Sequence, residues 1–568
     1  MKLIKKLRWQ ILIIILALIV IGFVLWGQQA EPVLVEAPEP TSGGIYTEGI
    51  VGTLMRLNPL LAKFNPPDQD PVSLIFRGLI RFDSTGLPQP DLSNGWAVSR
   101  DGDVYNFSLR QDVFWHDGEP VTSDDVIFTV NLLQDPDFPV PEDLAAFWGE
   151  IEVVSLDEIT LQFRLPEAYS PFLSYLDFGI LPAHILGNLS AAELVDTPYN
   201  LQPVGTGPFM FDQLILEDEK ITGVVLKKNP DFYEDEAYLD QIAFQYYPDS
   251  QAVWEAYLAG EVQGIGEITD EILDDALLDE NLRFYTSRVP EMTLVLLNLD
   301  NPELPFLGDV ELRKALLEGI NRQYLVDHLN RGQAIIADGP IFPKTWAYYE
   351  NLPRYEFDPD LAVKTLKDLG YTYPSEGGLA RENEEGDRLA MELIYPQTGL
   401  HSQVAQAIQE NWSALGIEVT LEPLPYPELL AALEDRNYEA ALVDLNLTGM
   451  TDPDPYPFWH QTQATGGQNY SMWNDRRASE YLEQGRLLID ISERAKLYKN
   501  FQVRFHDQLP ALPLYYPVYN YGVASQVKGV RIGPIFTASD RLDTITDWYF
   551  FVEVPGGLEP TEEEPAGE

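Results

Sequence analysis

Residues 105–130 read YNFSLRQDVFWHDGEPVTSDDVIFTV, and this stretch predicts a strand, a tight turn and a capped helix in direct succession. Tyr105 and Phe107 alternate with polar residues, which is the period of a half-buried strand. The Asp-Gly pair that follows is typical of a turn. Thr122 and Asp125 then have the spacing of a helix capping box. These patterns predict local structure but do not indicate a function by themselves.

The rest of the chain also alternates between strand and helix patterns. Strand-like segments are Thr160–Leu165, Ile242–Tyr247, Thr293–Asn298, Glu418–Leu421 and Ala440–Asp444. Helical segments with polar first residues and glycines at their ends begin at Ser250, Asp309, Asp360 and Ser402. Strands interleaved with helices of this length predict α/β lobes with mixed sheets.

Length and charge limit the possible functions. A chain of 568 residues exceeds a single compact core, so two or three lobes are expected. The net charge of -53, from 90 acidic and 37 basic side chains, argues against a nucleic-acid partner because it repels phosphates. It is compatible with cationic ligands, and equally with solubility outside the cell. The chain has no cysteine, which excludes disulfides, thiolate catalysis and a lipid-modified cysteine anchor.

The N-terminus predicts a different attachment to the membrane. Basic residues between Lys2 and Arg8 precede an apolar run, Ile11–Trp26, that approaches the roughly 20 residues needed to span a bilayer. The basic flank is expected to stay in the cytoplasm, which places the body outside. Gly27–Ala30 is a poor cleavage site. We therefore predict an uncleaved signal anchor at residues 1–27, with a cleaved signal peptide as the alternative.

Acidic, proline-containing segments flank the globular body. Residues 28–43 and 554–568 are rich in Glu and Pro and poor in large apolar groups. Such composition predicts a disordered linker before the body and a disordered tail after it. No internal repeat or low-complexity segment lies between them.

The segment Leu109–Val126 resembles a hallmark of the extracytoplasmic solute-binding proteins of family 5, the peptide and nickel class that feeds ABC importers. Further segments resemble the family in the same order along the chain: Leu57–Leu60, Phe76–Ile80, Val204–Phe209, Lys228–Tyr233, Ala259–Val262, Val310–Ala315, Ile320–Arg322 and Leu509–Tyr515. Each motif alone is weak, but their shared order is specific. The resemblance covers nearly all of residues 43–552.

The resemblance implies a two-lobed, periplasmic-binding-protein-like α/β fold with mixed sheets joined by a hinge. It divides the body into lobe I, an inserted subdomain and lobe II. Lobe I would be discontinuous and comprise residues 44–83, 199–288 and 506–553. The inserted subdomain would span residues 84–198, and lobe II residues 289–505. A ligand would lie in the cleft between the lobes, which close about the hinge.

The segment Thr451–His460 contains the strongest candidates for ligand contact. Its three prolines stiffen the chain, so its carboxylates have few conformations to lose on binding. The resemblance implies that an aspartate here pairs with the α-amino group of a peptide ligand, since a buried ammonium needs a partner. Asp452 is preferred and Asp454 is the alternative. Without the resemblance, both would be interpreted as Asp-Pro turn residues at the surface.

Other residues fall in segments that line the cleft in relatives. They are four aromatic residues that could form apolar walls and two asparagines that could contact the ligand: Trp459, Trp473, Tyr247, Phe64, Asn469 and Asn65. For each aromatic residue, packing in a core is the alternative role.

These features predict a monomeric substrate-binding component of an ABC importer, which captures peptides or similar small solutes and delivers them to a permease. It would be anchored in the cell membrane with an extracytoplasmic body. We expect no enzymatic activity, cofactor or metal. None of the six histidines is paired at helical metal-site spacing, and His460 alone lies near the expected cleft. Binding of a metal or metallophore, a ligand-sensing scaffold and an extracellular hydrolase are the alternatives.

Overall fold

The computed structural model describes residues 40, 42–375 and 377–551. Ser42–Phe550 form one compact unit; the second unit, Met1–Thr41 with Phe551–Glu568, falls almost entirely outside the described residues. The predicted anchor, nearly all of the predicted linker and the predicted tail also lie outside them. Among the described residues, no helix is both long enough and apolar enough to cross a bilayer.

The body has an α/β fold with two lobes, and its largest sheet, of twelve strands in the described part of the chain, runs through both. Lobe I contributes strands Ile45–Val51, Phe209–Glu217, Lys220–Lys228, Gln241–Tyr247, Gly264–Ile265 and Leu282–Arg288. Its α-helices are Pro66–Ile75, Ser250–Ala259 and Leu273–Leu278. The strand Ile45–Val51 runs parallel to both of its neighbours, so its carboxyl end opens between them.

The inserted subdomain has a separate antiparallel sheet with strands Ser93–Val98, Val104–Leu109, Thr160–Arg164 and Glu152–Asp157 in spatial order. Its α-helices are Ser123–Gln134, Glu142–Gly149, Ala183–Leu186 and Ala191–Val195. A short hairpin of strands Ile80–Phe82 and Pro88–Pro90 joins it to lobe I.

Lobe II contributes five strands of the large sheet within the described residues: Glu291–Leu297, Ala334–Ile336, Ala390–Pro396, Glu418–Leu424 and Ala440–Asn446. Its main α-helices are Val310–Glu318, Pro359–Asp368, Gly399–Leu415, Tyr426–Glu434, Arg476–Leu487 and Ile491–Gln508. The helices cover both faces of the sheet, so the lobe has one apolar core on each face.

The long strand Ala511–Ala524, here called the hinge strand, connects the two lobes. Its first part pairs with Glu291–Leu297 of lobe II, and its later part pairs with Leu282–Arg288 of lobe I. Pro290 and Pro517 lie where one pairing gives way to the other, and proline lacks the N–H that a ladder hydrogen bond requires. The ladder is therefore interrupted at the point where the lobes would rotate.

The apolar cores indicate which parts pack together. Phe107 and Trp148 of the inserted subdomain belong to the same buried cluster as Phe209 and Phe244 of lobe I. The two large clusters of lobe II contain residues of that lobe, Leu509 and the hinge strand's first part. The inserted subdomain and lobe I thus share one apolar core, whereas lobe II has separate cores.

The local sequence signals are confirmed in part, because the predicted helix starts at Asp360 and Ser402 lie inside helices that Asp358 and Thr398 cap. Thr122 and Asp125 form the capping box, and the Asp309 carboxylate accepts hydrogen bonds from the backbone of the next helix. The predicted cap at Ser250 is shifted by one residue, because the Asp249 carboxylate accepts the hydrogen bond from Ala252 N. Gly260 ends that helix in the left-handed region, where a side chain would be strained.

His116, interpreted from the sequence as part of a turn, holds the inserted subdomain against lobe I. Gly205 N donates to its Nδ1 at 3.1 Å, and Nε2 lies 3.1 Å from the carbonyl oxygen of Gly207. This arrangement requires a neutral imidazole with the proton on Nε2. Burial lowers the pKa of His116 to about 4.

We expect His116 to make the stability depend on pH. The unfolded chain takes up this proton near pH 6.5 and the folded protein only near pH 4, so stability falls as the pH drops through that window. The loss is about 3 kcal/mol by pH 4. Urea unfolding of the wild-type protein and of the His116→Ala variant gives their free energies of unfolding at each pH. The difference between these two free energies should shrink by this amount as the pH falls. A constant difference between pH 7 and pH 4 would contradict the assignment.

Candidate ligand-binding site

The lobes meet at a cleft that begins at the hinge strand. On the lobe I side, a cavity of about 220 Å³ opens at the carboxyl end of Ile45–Val51 and is lined by Glu267 and Tyr519, among others. On the lobe II side, a cavity of about 430 Å³ lies at the carboxyl ends of Ala390–Pro396 and Ala440–Asn446. We name these the lobe I cavity and the lobe II cavity. Carboxyl ends of parallel strands are where α/β folds place their ligands.

Acidic side chains face each other where the lobes approach. Burial, followed by the negative charge of Asp444, raises the pKa of Glu291 to about 7; His401 opposes this increase, and the negative charge of Glu267 adds the smallest contribution. Glu291 and Asp444 belong to lobe II, whereas Glu267 belongs to lobe I. Burial also raises the pKa of Glu267, and Arg541 partly opposes this. This side of the cleft is therefore suited to a cation.

Farther from the hinge, lobe II contacts lobe I and the hairpin region directly. Trp346 N donates to Thr85 O at 2.9 Å, and Gly449 N donates to Phe536 O at 2.8 Å. Gly86 packs against the carbonyl of Thr451. These contacts connect lobe II with the hairpin and with the C-terminal segment of lobe I.

A third cavity, of about 230 Å³ and here named the distal cavity, lies between lobe II and the inserted subdomain. Its walls include four aromatic side chains and one ion pair: Phe82, Trp96, Tyr105, Trp346, Asp452 and Arg494. Ligand pockets usually occupy roughly 300–1,000 Å³, so the distal cavity holds only a small group unless the lobes open.

Asp452 and Asp454 are both neutralised within lobe II. Arg494 Nη1 and Nη2 donate to Asp452 at 2.7 and 2.9 Å, a bidentate pair. Arg486 Nε donates to Asp454 at 2.7 Å. Asp452 lines the distal cavity, but Arg494 already occupies the position that the prediction gave to a ligand ammonium. Asp454 is buried inside lobe II and lines none of the three cavities.

Three predicted residues lie in or beside a core of lobe II. Trp459 and Trp473 are buried and pack against Phe505, with ring centroids 4.7 and 6.0 Å from it. Trp459 also lines the lobe II cavity. Asn469 is fully buried, and its amide bonds to the backbone of His460 and Trp473, which gives it a structural role.

The remaining predictions lie beside the lobe I cavity. Tyr247 donates to Gln245 Oε1 at 2.8 Å and packs close to the cavity-lining Gly49. The exposed Phe64 lies under the ammonium of its neighbour Lys63. Asn65 donates to Thr53 O at 2.9 Å and directly precedes prolines that line the cavity. The structure thus brings none of these three into contact with the predicted aspartates.

The sequence prediction missed Glu267, Glu291 and His401. They come from three separate segments and meet only in the folded chain. The predicted strand began at Thr293, whereas the observed strand begins at Glu291. The one local signal that pointed to Glu291 is its position as an acidic residue at the start of a buried strand.

Comparison with known proteins agrees with this architecture. The family described as bacterial extracellular solute-binding proteins, family 5 Middle, matches residues 88–469. A dipeptide-binding protein of Escherichia coli is 25% identical over 467 residues, which cover 78% of this chain and 84% of that protein.

Two solved structures have the same fold. The oligopeptide-binding protein AppA of Bacillus subtilis, in complex with a nonapeptide, is 22% identical with a TM-score of 0.64, and the match covers 90% of this chain and all of that one. HbpA2 of Haemophilus parasuis is 21% identical with a TM-score of 0.78, over 90% of this chain and 100% of that one. Because the family match spans well over half of the chain, the protein belongs to family 5 of the bacterial extracellular solute-binding proteins.

Proposed function

We propose that this protein is the extracellular substrate-binding component of an ABC importer, which captures peptides or similar small solutes between its lobes. Closure would bury the ligand and present the loaded form to the permease. Membership of the solute-binding family supports the binding role. The names of the dipeptide-binding and oligopeptide-binding relatives support the ligand class.

One observation carries this proposal most directly: the cleft divides two bodies that have separate cores and a proline-interrupted hinge. A ligand that contacts both bodies stabilises the closed state by its differential affinity for that state. Binding energy thus drives the motion, and no covalent bond is made or broken.

The ion pair of Asp452 and Arg494 would then form part of the wall that meets the inserted subdomain. The pair lies against Trp346, since the Arg494 guanidinium is 4.9 Å from that ring. Direct contact of Asp452 or Asp454 with a ligand ammonium stays a prediction. In either case the ligand would share the carboxylate with an arginine already bound to it.

The apolar run near the N-terminus would tether the receptor to the outer face of the cell membrane. Its support is the basic flank followed by Ile11–Trp26 in a chain without a cysteine for lipid attachment. Expression of the full chain and of a chain lacking residues 1–27 tests the tether. The full chain should remain in membranes after alkaline carbonate extraction, and the shortened chain should be released.

Isothermal calorimetry of the purified body with defined peptide mixtures tests the proposed ligand class. We expect a saturable one-to-one heat with at least one mixture. A folded protein that gives no heat with any peptide would remove the peptide assignment.

A further inference from the structure

Two helices of lobe II present an apolar turn to the inserted subdomain. Arg476–Leu487 and Ile491–Gln508 pack side by side, and a short connection joins them. Leu488 and Ile489 in this connection are 39% and 41% exposed. Turns at a protein surface are usually polar, so apolar side chains here indicate a contact with another part of the molecule. We name residues 488–491 the lobe II tip.

The lobe II tip contacts the inserted subdomain at two points. Ser170 Oγ donates a hydrogen bond to the carbonyl oxygen of Leu488. A Cβ on Gly102 would lie 3.6 Å from Cδ1 of Ile489 and 3.1 Å from Cβ of Ala168, so the isoleucine side chain packs onto this turn. The tip is therefore held by one polar bond and one apolar contact.

The turn that receives Ile489 is held in one conformation. Ser99 Oγ accepts hydrogen bonds from three backbone N–H groups of this turn, at 3.1, 3.2 and 3.2 Å, which belong to Gly102, Asp103 and Val104. These bonds fix the connection between two strands of the subdomain. The surface that meets the lobe II tip is therefore preformed.

The second helix of the pair connects the lobe II tip to the hinge. Ile491–Gln508 has 18 residues and is about 27 Å long, and the hinge strand begins three residues after it ends. Arg494 Nε donates to the carbonyl oxygen of Gly485 at 2.7 Å, which ties this helix to its partner. A rotation of about 15° at the hinge would move the tip by roughly 7 Å and break both contacts.

The contact does not join the apolar cores of the two parts. In the described part of the chain, the tip residues Leu488, Ile489 and Ile491 belong to none of the buried clusters. The distal cavity lies between the tip and the side chains of Trp96 and Leu173. Separation of these surfaces therefore leaves each core intact, so the contact can form and break in the folded protein.

We propose that the lobe II tip is a latch, which closes onto the inserted subdomain and sets the fraction of closed protein before any ligand binds. Gly102, Ala168 and Ser170 form the surface that receives it. The inserted subdomain thereby contributes to closure through a contact in which the ligand takes no part.

The latch should act equally on all ligands. The lobe II tip lines neither the lobe I cavity nor the lobe II cavity. The apparent affinity for a ligand that binds the closed state is proportional to the fraction of closed protein, so the latch changes it by one common factor. This effect on affinity rests on the proposed function, whereas the effect on the unliganded protein does not.

Pulsed dipolar spectroscopy of the unliganded protein tests the latch. The chain has no cysteine, so spin labels can be attached to cysteines that replace the exposed Leu156 of the inserted subdomain and the exposed Leu361 of lobe II. Ile489→Ser in this background should lower the ratio of closed to open protein about fivefold, because it removes the apolar contact. The closed population is the one at the distance between the two labels in the closed structure.

Two further variants serve as controls. Val503→Ser replaces an apolar residue that is 40% exposed on the second helix, about 18 Å along it from the tip, and should leave the ratio unchanged. Ile489→Leu keeps an apolar side chain of the same size and should retain the wild-type ratio. Thermal unfolding confirms that each variant is folded.

Calorimetry measures the effect on affinity. Every peptide that the wild-type protein binds should bind up to about fivefold more weakly to Ile489→Ser, and peptides with different side chains should lose affinity by the same factor. A loss that differs between peptides would show that the tip contacts the ligand, which overturns the latch.

The latch and the proposed function fail in different ways. If Ile489→Ser and Val503→Ser give the same distances in the unliganded protein, the latch is overturned, whereas peptide binding by the wild-type protein still supports the proposed function. If the wild-type protein binds no peptide, the proposed function is overturned, and the distances in the unliganded protein alone decide on the latch.

Discussion

Replacement of Arg541 by methionine is expected to lower the free energy of unfolding by about 3–5 kcal/mol. Arg541 is 1% exposed and lies between two buried carboxylates. Its Nε donates to Glu48 at 2.9 Å and its Nη1 donates to Asp70 at 2.8 Å, while Nη2 contacts both. Methionine fills the space but leaves two negative charges buried without a counter-charge.

Urea unfolding of the body measures this loss, with Arg531→Met as the matched control. Arg531 belongs to the same C-terminal segment and pairs with Asp547 at the surface, where an ion pair is worth at most about 1 kcal/mol. The control should therefore unfold close to wild type. Equal destabilisation by the two substitutions would show that the buried network does not hold the C-terminal segment on lobe I.

Replacement of Gly86 by alanine is expected to weaken peptide binding by about tenfold or more, because it prevents close approach of the lobes. Gly86 has a φ of +82°, and a Cβ there would lie 2.5 Å from the carbonyl oxygen of Thr451. A backbone atom cannot move aside as a flexible side chain can. Lobe II would have to shift away from the hairpin, and the closed state would lose its contacts there.

Gly118→Ala separates this effect from backbone strain. Gly118 has a φ of +92°, and nothing lies within 4 Å of a Cβ at that position. Both variants lose a similar amount of stability from a left-handed alanine, about 1–2 kcal/mol. Calorimetry with the same peptide should show weaker binding for Gly86→Ala alone. Equal affinities of the two variants would mean that the Gly86 contact plays no part in closure.

Local structure was predictable because its signals lie within a few residues of each other. The capping box at Thr122 and Asp125 and the cap at Asp309 depend on hydrogen bonds that span about one helical turn. The two-lobed fold followed from the order of motifs along the chain, and the solved structures with the same fold confirm it. The predicted domain boundaries stay predictions.

The electrostatic partners of the candidate site were not predictable from the sequence. Asp452 was predicted to pair with the ammonium of a ligand. In the structure it pairs with Arg494, which lies in a helix and follows it by 42 residues. Nothing in the local pattern of either residue indicates that pairing. The cluster at the hinge likewise joins Glu267, Glu291 and His401 from separate elements, and only the folded sheet brings them together.

The distance between the lobes tests the central claim most directly. The chain has no cysteine, so single cysteines placed at the exposed Leu258 of lobe I and Leu487 of lobe II can carry a pair of spin labels without background. Pulsed dipolar spectroscopy then reports the distribution of distances between them. Addition of a binding peptide at saturating concentration should shift the distances between the labels and narrow their distribution. A distribution that stays unchanged while calorimetry shows the peptide to be bound would contradict capture by lobe closure.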